Sequence, residues 1–417
     1  MSARIYVVGA GLAGLVAAEH LASRGGAVTI LEASPKAGGR CRSYRDDRLG
    51  RVIDNGNHLI LSANTAVLGW ADRIGGADRL RMLDAAFPYL DLDTGARWSL
   101  ELGRGPFAAL SPRARAPGTP LGPLLRDMVR LMTGPARRPL GRVVRDRGAH
   151  WRTFWDPLTR AVLNEPPEGG DAGLMRATLM RSFAKGGGTA RPVVAPDGLG
   201  AALIEPALDR LERAGATIRY RTAVQGLSDD GSRVTGIHLR DADIRVGPGD
   251  RIVLALPPAP LAAVLPDLPL PAPGGAIANA HFVVPGTDLP PILAVLGATT
   301  QWVFRRGDVV SVTVSAAEDS ALDGMDRAAA LDHLWGEMRA ILIAHGCHAP
   351  RDRPAARFLR EKAATFDQTP DGVRRRASTT MPWANLFLAG DHTDTGLPAT
   401  LEGAVLSGQA AGRAALD

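Results

Sequence analysis

The chain has 417 residues, enough for two or three domains, and 49 lysines and arginines against 43 acidic residues give it a formal net charge of +6. Its two cysteines, Cys41 and Cys347, exclude a disulfide framework and a cysteine-rich metal site. No apolar run is long enough to cross a bilayer, and no nucleic-acid motif accompanies the arginines. We therefore expect a cytoplasmic protein without a signal peptide and without a nucleic-acid partner.

The first forty residues predict a dinucleotide-binding unit. The apolar run Ile5–Val8 indicates a buried strand, and it leads directly into the glycine motif of residues 9–14. Apolar residues then recur at helical spacing from Leu15 to Ser23, and a second strand, Val28–Leu31, is followed by Glu32. Strand, GxGxxG, helix, strand and acid at this spacing are typical of a βαβ nucleotide site.

Each part of this unit has a physical role. Gly9 permits a tight turn, Gly11 lets the backbone approach a pyrophosphate, and Gly14 allows close packing of helix and strand. Amides at the helix start favour phosphate, and Glu32 would accept the adenosine ribose hydroxyls. The cofactor-binding candidates of this unit are Gly9, Gly11, Leu12, Ala13, Gly14, Glu32 and Ala33.

Two turns follow the second strand. In Gly38-Gly39-Arg40 the glycines let the chain pass close to a phosphate while the guanidinium pairs with it. Directly after the second strand of a dinucleotide fold, this sequence indicates a flavoprotein. Residues 54–58 (Asp-Asn-Gly-Asn-His) then form an Asx/Gly turn, in which Asn55 and Gly56 are further cofactor candidates.

The pattern of the middle of the chain is mixed. A hairpin is predicted over Tyr89–Leu100, a loop over Gly103–Gly122 and an amphipathic helix over Leu124–Met132, with Leu, Met and Val on one side and Arg126 and Arg130 on the other. Several arginines follow this helix. The basic segment is consistent with attachment to an anionic membrane and equally with a solvated helix face beside a loop.

The remaining middle segments alternate between helices and strands. Helices are predicted over Trp151–Asn164, Ala172–Phe183, Ala201–Ala214 and Asp326–Ala344. A strand and loop are predicted over Val193–Leu199, and strands over Thr217–Tyr220 and Arg251–Leu256, with several antiparallel strands between Val295 and Ser315. Val224 precedes a predicted hairpin, Val234–Leu239, with its turn at Asp230-Gly231. Residues 260–291 are rich in proline.

The last forty residues repeat the strand–loop–helix pattern. A buried strand from Asn385 ends in Ala389-Gly390-Asp391, and a helix begins near Glu402. Asp391 at the strand end can accept a ribityl or phosphate-side hydrogen bond. The helix start directs positive potential at the O2/N1 edge of a flavin ring. Candidate cofactor contacts here are Gly390, Asp391, Pro398, Ala399 and Thr400.

Through the motifs of its first and last forty residues, the chain resembles the amine oxidase/phytoene desaturase superfamily of FAD proteins, and the resemblance extends over nearly its whole length. Within it, the chain is most similar to the squalene-associated desaturases, the hydroxysqualene dehydroxylases of hopanoid synthesis. The motifs that carry this likeness are residues 9–14, 38–40, 54–58, 155–158 with 163–164, 361–366 and 389–404. One departure is Asn57, where the family pattern predicts Gln.

The resemblance implies an α/β fold: a Rossmann-type FAD-binding domain of the glutathione-reductase (GR2-like) type, discontinuous in sequence, with an inserted α+β substrate domain. The FAD-binding domain is expected over residues 1–65, 190–258 and 380–417, and Val224 is expected to hold the adenine through its backbone. The substrate domain is expected over residues 66–189 and 259–379, with a membrane-facing segment at 104–147.

The resemblance also implies a reaction, the reductive dehydroxylation of hydroxysqualene to squalene. The allylic hydroxyl is protonated, water leaves, and reduced FAD delivers hydride to the allylic cation. This step needs a general acid near the flavin and a dry apolar tunnel. Asp54 and His58 are the catalytic candidates, with His392 next; the equally open alternatives are a turn-capping Asp54 and a buried structural His58.

The expected partners follow from this chemistry. The substrate is an apolar isoprenoid drawn from a bilayer, so we expect peripheral attachment to the inner face of the cytoplasmic membrane, with Arg126, Arg130, Arg137 and Arg138 around the tunnel mouth. The tunnel is expected from residues 151–183 and the strands between 295 and 314. No second strand–GxGxxG–helix unit follows, so an external electron donor is expected.

Three other functions stay open at this stage. A phytoene or carotenoid desaturase would run hydride transfer in the opposite direction on a similar substrate. An amine oxidase would need an aromatic pair before the ring, which Trp383 and Phe387 do not obviously supply. A flavin-binding scaffold without redox activity would not need to keep the intact flavin motifs.

Overall fold

A computed structural model describes residues 3–101, 110–145, 147–182 and 188–417. Phe183 and parts of the predicted loop 103–122 and of the segment 104–147 lie outside the described residues. Within these ranges the structure has twenty strands and eleven α-helices. In this part of the chain no helix is both long enough and apolar enough to cross a membrane.

The strands are, in chain order, β1 (Arg4–Val8), β2 (Ala27–Leu31), β3 (Ser43–Asp46), β4 (Arg51–Asp54), β5 (Ile60–Leu61), β6 (Arg81–Met82), β7 (Ala86–Asp91), β8 (Arg97–Glu101), β9 (Pro192–Val194), β10 (Thr217–Arg219), β11 (Val224–Asp229), β12 (Val234–Leu239), β13 (Asp243–Arg245), β14 (Arg251–Leu254), β15 (Ile277–Val283), β16 (Ile292–Leu296), β17 (Trp302–Arg306), β18 (Val309–Val314), β19 (Ala356–Glu361) and β20 (Leu386–Leu388).

The α-helices are α1 (Leu12–Ala22), α2 (Thr65–Ile74), α3 (Leu121–Thr133), α4 (Leu140–Val143), α5 (Asp156–Leu163), α6 (Ala172–Ser182), α7 (Glu205–Arg213), α8 (Pro258–Val264), α9 (Arg327–Ala344), α10 (Pro370–Arg374) and α11 (Leu401–Ala414). Two π-helical turns, Trp151–Trp155 and Gly200–Ile204, lead into α5 and α7.

A parallel sheet joins the two ends of the chain. Its five strands run in the order β10-β2-β1-β14-β20, and all neighbours are parallel. Tyr6–Val8 are buried, as expected for a strand covered on both faces. Helices α1 and α11 pack through small residues, because a β-carbon on Gly408 would lie 2.4 Å from the carbonyl oxygen of Ala13. The predicted α/β class is confirmed.

A second sheet of seven strands lies in the middle of the chain, in the order β19-β15-β18-β17-β16-β7-β8. One of its faces is apolar and is covered by α9: Leu334, Trp335 and Met338 belong to the same buried cluster as Val303 and Val312, and the ring of Trp335 lies 5.2 Å from that of Phe282. The other face carries several half-buried aromatic side chains, which are described with the site below. The sheet therefore has one face that belongs wholly to the core and one that does not.

Smaller elements connect these two sheets. An antiparallel sheet, β11-β12-β13, follows the parallel strand β10 and contains the hairpin predicted with its turn at Asp230-Gly231. Two further small sheets, β3-β4 and β5-β9-β6, join the segment after residue 40 to residues 192–194. Helices α3–α6 form a separate apolar cluster around Leu131, Trp155 and Met175.

Three elements differ from the sequence prediction. Strand β15 lies in the proline-rich stretch, and its buried Asn279 and His281 interrupt the apolar run that would indicate a strand. Strand β19 has the sequence ARFLRE and is only partly buried, and its charged residues remove the apolar pattern from which a strand would be predicted. Helix α2 was not predicted, and its amides are capped by Glu402, which lies more than 300 residues away.

The basic helix α3 also differs in detail. Arg130 does not share a polar outer face with Arg126, because its guanidinium pairs with the buried Asp127 at 3.0 Å. Leu125 and Val129 are 39% and 61% exposed and lie on the outward side together with Arg126. The predicted separation of an apolar side from a basic side is therefore wrong for this helix. Asp127 lies in the interior, where it is bound by Arg130 and by His150, whose Nε2 is 3.2 Å from Oδ2 of Asp127.

Candidate flavin site

The glycine loop between β1 and α1 has two glycines that the fold requires and one that it does not. Gly9 has a φ of +102°, and a β-carbon there would lie 2.6 Å from the carbonyl oxygen of Ala255. A β-carbon on Gly14 would lie 2.0 Å from the carbonyl oxygen of Gly9. A β-carbon on Gly11 would meet no described heavy atom within 4 Å, so chain packing does not explain this glycine. It fits close approach by a ligand.

Glu32 holds the loop from the end of β2. Its carboxylate accepts hydrogen bonds from the amides of Ala10 and Ser34, each at 2.7 Å. The carbonyl of Glu32 accepts from Thr222 at 2.8 Å, which brings the start of β11, and therefore Val224, beside the same strand end. A carboxylate has four acceptor sites, so two remain for ribose hydroxyls.

The Gly-Gly-Arg turn lies against the glycine loop. The amide of Gly38 donates to the carbonyl of Ala10 at 2.8 Å, and Gly38 forms a parallel bridge with Gly11. Both Gly38 and Gly39 have positive φ, at 108° and 51°. The two glycine motifs therefore form one surface.

Arg40 then joins the beginning of the chain to its end. Its Nη2 donates to Oδ1 of Asp391 at 2.7 Å, and its Nη1 donates to the carbonyl of Ala364 at 2.7 Å. Burial alone would raise the pKa of the Asp391 carboxyl, but the Arg40 guanidinium outweighs it and the pKa is lowered. The ion pair thus keeps Asp391 ionised beside Gly390.

A buried arginine shapes the loop that follows Asp391. Arg376 donates to the backbone carbonyls of Asp391 at 3.1 Å and Leu397 at 2.8 Å and also contacts the carbonyl of Thr393. Burial lowers its pKa to about 10, and its guanidinium lies 4.8 Å from the ring centre of Phe366. The sequence of residues 374–376 does not indicate this role for Arg376, because the carbonyls that it binds lie 15 or more residues later in the chain.

His392 belongs to the same loop. Both ring nitrogens are buried and have no hydrogen-bond partner among the described residues. Burial lowers its pKa to about 4, so the ring is neutral near pH 7. This environment does not favour His392 as a proton donor.

The start of α11 is held from two directions. Thr400 caps the helix by accepting from the amide of Gly403 at 3.1 Å, and the amide of Ala399, which follows Pro398, donates to Gln368 at 2.8 Å. Glu402 accepts from the amides of Ala66 and Val67. The sequence showed the helix start but not Gln368 or the capping of α2 by Glu402.

The turn of residues 54–58 lies between the two sheets. Asp54 is buried and pairs with Arg306 at 3.0 Å; it also accepts from Ser43 and from the amide of Leu199 at 3.1 Å. Its oxygens are therefore committed to structural contacts, which speaks against Asp54 as the proton donor.

His58 is placed differently. Its Nδ1 lies 2.9 Å from the carbonyl oxygen of Gly56, which makes Nδ1 the protonated nitrogen and leaves Nε2 as an acceptor. Burial lowers the pKa of His58. The ring is therefore neutral near pH 7, and Nε2 carries no proton but can accept one and pass it on.

A single row of residues crosses the open face of the seven-stranded sheet. Directly paired residues of neighbouring strands point to the same face. The row runs through Asn279, Thr313, Trp302, Ala294, Tyr89 and Trp98. Asn57 donates to Thr313 at 3.0 Å and to Asn279 at 3.2 Å. The turn before His58 therefore contacts the face that carries the aromatic side chains.

The aromatic part of this row is apolar. The rings of Tyr89 and Trp98 stack with centres 5.3 Å apart, and Trp302 and Phe304 follow at 6.4 Å from each other. Leu59, the residue after His58, packs in the same cluster. Burial raises the pKa of Tyr89 to about 12, and its hydroxyl has no hydrogen-bond partner among the described residues. The sequence predicted the hairpin but not that it would face the turn.

Comparison with known proteins agrees with these observations. A family model described as flavin containing amine oxidoreductase matches residues 12–416. The chain is 39% identical to a hydroxysqualene dehydroxylase from Rhodopseudomonas palustris, over 99% of this chain and 98% of that protein. It is 36% identical to a hydroxysqualene dehydroxylase from Zymomonas mobilis, over 99% of each. The structure of cyclohexylamine oxidase from Brevibacterium oxydans matches with a TM-score of 0.72 at 15% identity, covering 100% of this chain and 99% of that one.

Proposed function

This chain belongs to the flavin-containing amine oxidoreductase family, which makes it an FAD-dependent oxidoreductase, and we propose that it catalyses the reductive dehydroxylation of hydroxysqualene to squalene. Relatives that carry this name match the chain over almost its full length. The observation that carries the proposal is the apolar aromatic sheet face in contact with the turn of residues 54–58. Such a face suits an isoprenoid, and the carboxylate of Asp91 at its edge, two residues after Tyr89, is already paired with Arg152 at 2.7 Å.

The residues of the flavin site fit FAD. Gly11 leaves room for a pyrophosphate, the start of α1 supplies amides, and Glu32 keeps free acceptor sites for a ribose. Arg40 and Asp391 would hold the phosphate and ribityl side, with the start of α11 near the ring. Residues 1–65, 190–258 and 380–417 would form the FAD-binding domain, and 66–189 and 259–379 the substrate domain.

Reduced FAD bound there would supply a hydride. The chain's own residues would bind the polyene chain against Trp98, Trp302 and Phe304 and exclude water from the allylic carbon. The Tyr89 hydroxyl would donate a hydrogen bond to the substrate hydroxyl, because it lies in an apolar cluster without a protein partner. The C–O bond would then break, the hydroxyl oxygen would leave as water with the proton passed on by His58, and the hydride would form the new C–H bond.

His58 would take up a proton from solvent at Nε2 and pass it to the leaving hydroxyl, since Nδ1 is fixed by the Gly56 carbonyl. Asp54 is better explained as a positioning residue, because its ion pair with Arg306 fixes the turn on the sheet. Exchange of either residue separates the roles: a His58 variant should slow turnover, whereas an Asp54 variant should also lower the melting temperature.

Attachment to a membrane would bring the enzyme to its substrate. Leu125 and Val129 on the outer side of α3 expose large aliphatic side chains, and Arg126 lies beside them. Such a stripe could enter the headgroup region while the arginine contacts anionic lipid. Flotation with anionic vesicles tests this part of the proposal, and a protein that stays with the unbound fraction would overturn it.

The central experiment uses enzyme whose flavin has been photoreduced without oxygen. On addition of hydroxysqualene, we expect one squalene for each flavin that is reoxidised. Phytoene-type desaturation would instead leave hydroxysqualene unchanged and require oxidised flavin, and an amine oxidase would act only on amines. A flavin that stays reduced in the presence of hydroxysqualene would refute the proposal.

Tyr89→Phe should lower kcat/KM for hydroxysqualene by about 3- to 10-fold, because one hydrogen bond contributes about 0.5–1.5 kcal/mol. The melting temperature should not change, since no described residue bonds to the hydroxyl. Steady-state squalene formation and thermal unfolding give the two readouts. Tyr44→Phe is the matched control and should retain full activity; equal activity of the Tyr89 and Tyr44 variants would remove Tyr89 from the site.

A further inference from the structure

A basic groove lies between the loop after α3 and helix α10. It has a volume of about 480 Å³ and is open to solvent. Four guanidinium groups line it together with a single carboxylate, that of Asp371. The four arginines are Arg137, Arg138, Arg142 and Arg374.

The walls of this groove are fixed by main-chain hydrogen bonds between three separate segments. The amide of Leu140 donates to the carbonyl of Gly170 at 2.7 Å, and that of Ala172 donates to Arg138 at 2.9 Å. The amide of Asp171 donates to the carbonyl of Gln368 at 2.9 Å. The arginine backbones are therefore held at fixed separations.

Internal carboxylates neutralise only part of the charge. Arg137 pairs with the buried Asp171 at 3.1 Å, and Arg374 pairs with Asp371. Arg138 and Arg142 have no side-chain partner among the described residues. Glu165 lies behind Gly169 of the groove, and burial raises its pKa to about 7, so this carboxyl is partly protonated near neutral pH.

We propose that this groove binds a phosphate group, either in a soluble diphosphate or in the headgroup of an anionic phospholipid. A guanidinium group can donate two parallel hydrogen bonds to the oxygens of one phosphate. Arg138 and Arg142, which have no carboxylate partner in the described part of the chain, therefore leave their donors free for such a group. The groove shares no residue with the flavin site or with the aromatic sheet face, although Arg137 and Arg138 are among the arginines expected around the tunnel mouth. It can therefore hold or fail independently of the proposed function.

Titration of the FAD-loaded protein with inorganic pyrophosphate, followed by calorimetry at physiological salt, tests the site. We expect saturable binding that weakens about 10-fold or more in Arg138→Gln/Arg142→Gln, because each lost charge-assisted contact weakens binding. The matched control is Arg240→Gln/Arg351→Gln, which removes the same charge at exposed arginines elsewhere. It should bind pyrophosphate as the wild type does.

Vesicles distinguish the two sources of phosphate. If phosphatidylglycerol vesicles displace pyrophosphate and the double Arg138/Arg142 variant binds these vesicles less tightly than the control, the ligand is a lipid headgroup. If pyrophosphate binds but the vesicles do not compete, the ligand is a soluble diphosphate. The proposal is overturned if the protein binds neither, or if both double variants lose affinity equally, since that would reflect net charge alone.

Discussion

Gly11→Val is expected to produce a folded protein that does not retain FAD. Gly11 has φ −74° and ψ 176°, an extended conformation open to any residue, and its added side chain meets no described atom within 4 Å. The valine would instead occupy the space through which the backbone approaches a pyrophosphate. We expect the dissociation constant of FAD to rise at least about 100-fold, which corresponds to a loss of about 3 kcal/mol.

The measurement is flavin fluorescence on titration of apoprotein, with circular dichroism and thermal unfolding as tests of folding. Gly14→Ala is the contrasting variant, because its β-carbon would lie 2.0 Å from a backbone oxygen and must disrupt the first turn of α1. That variant should fail to fold rather than fail to bind. A Gly11→Val protein that binds FAD with unchanged affinity would move the cofactor away from this loop.

Gly11 and Gly14 show which features of the glycine loop can be predicted from the sequence. The strand–GxGxxG–helix spacing is local, so it predicts both the turn and the parallel sheet around it. It does not distinguish a glycine required by packing from one that leaves room for a ligand, since both appear as the same letter. That distinction depends in part on Ala255, which is 244 positions beyond Gly11: added β-carbons on Gly9 and Gly14 would lie 2.6 Å and 3.1 Å from its atoms, whereas one on Gly11 would not reach it.

The substrate side was less predictable for a related reason. The hairpin of β7 and β8 follows from the alternation of apolar and polar residues along the chain. The strand that places Tyr89 in the seven-stranded sheet is β16, which pairs with β7 in parallel and lies about 200 residues later in the chain. Arg376 is similar: a run of three arginines predicts a solvated surface, yet the third is buried under residues 391–397. Long-range pairing and burial of a charge leave no periodic trace in a single sequence.

Arg40→Ala and Asp391→Ala should each weaken FAD binding, and their combination should separate binding from stability. Arg40 loses an ion pair of 2.7 Å and leaves a buried carboxylate without its partner. Because the Arg40 side chain is 34% exposed, we expect a loss of unfolding free energy of about 1–3 kcal/mol after solvent screening, rather than the larger penalty of a fully buried pair.

The double variant has no uncompensated charge, so it should recover part of the stability lost in Arg40→Ala while FAD binding stays weak, which gives a coupling free energy of about 1–2 kcal/mol in thermal unfolding. The pH dependence provides an internal check. The pKa of Asp391 is lowered in the folded protein, so the pair stabilises the wild type above the ordinary carboxyl pKa of about 4 and this contribution disappears as pH falls through the lowered value. The stability difference between the wild type and Arg40→Ala should therefore be largest near neutral pH and shrink in acid. An additive double variant, or a difference that grows in acid, would mean that this ion pair does not join the two ends of the chain. The flavin site would then be held together by the parallel sheet and by the packing of α1 against α11.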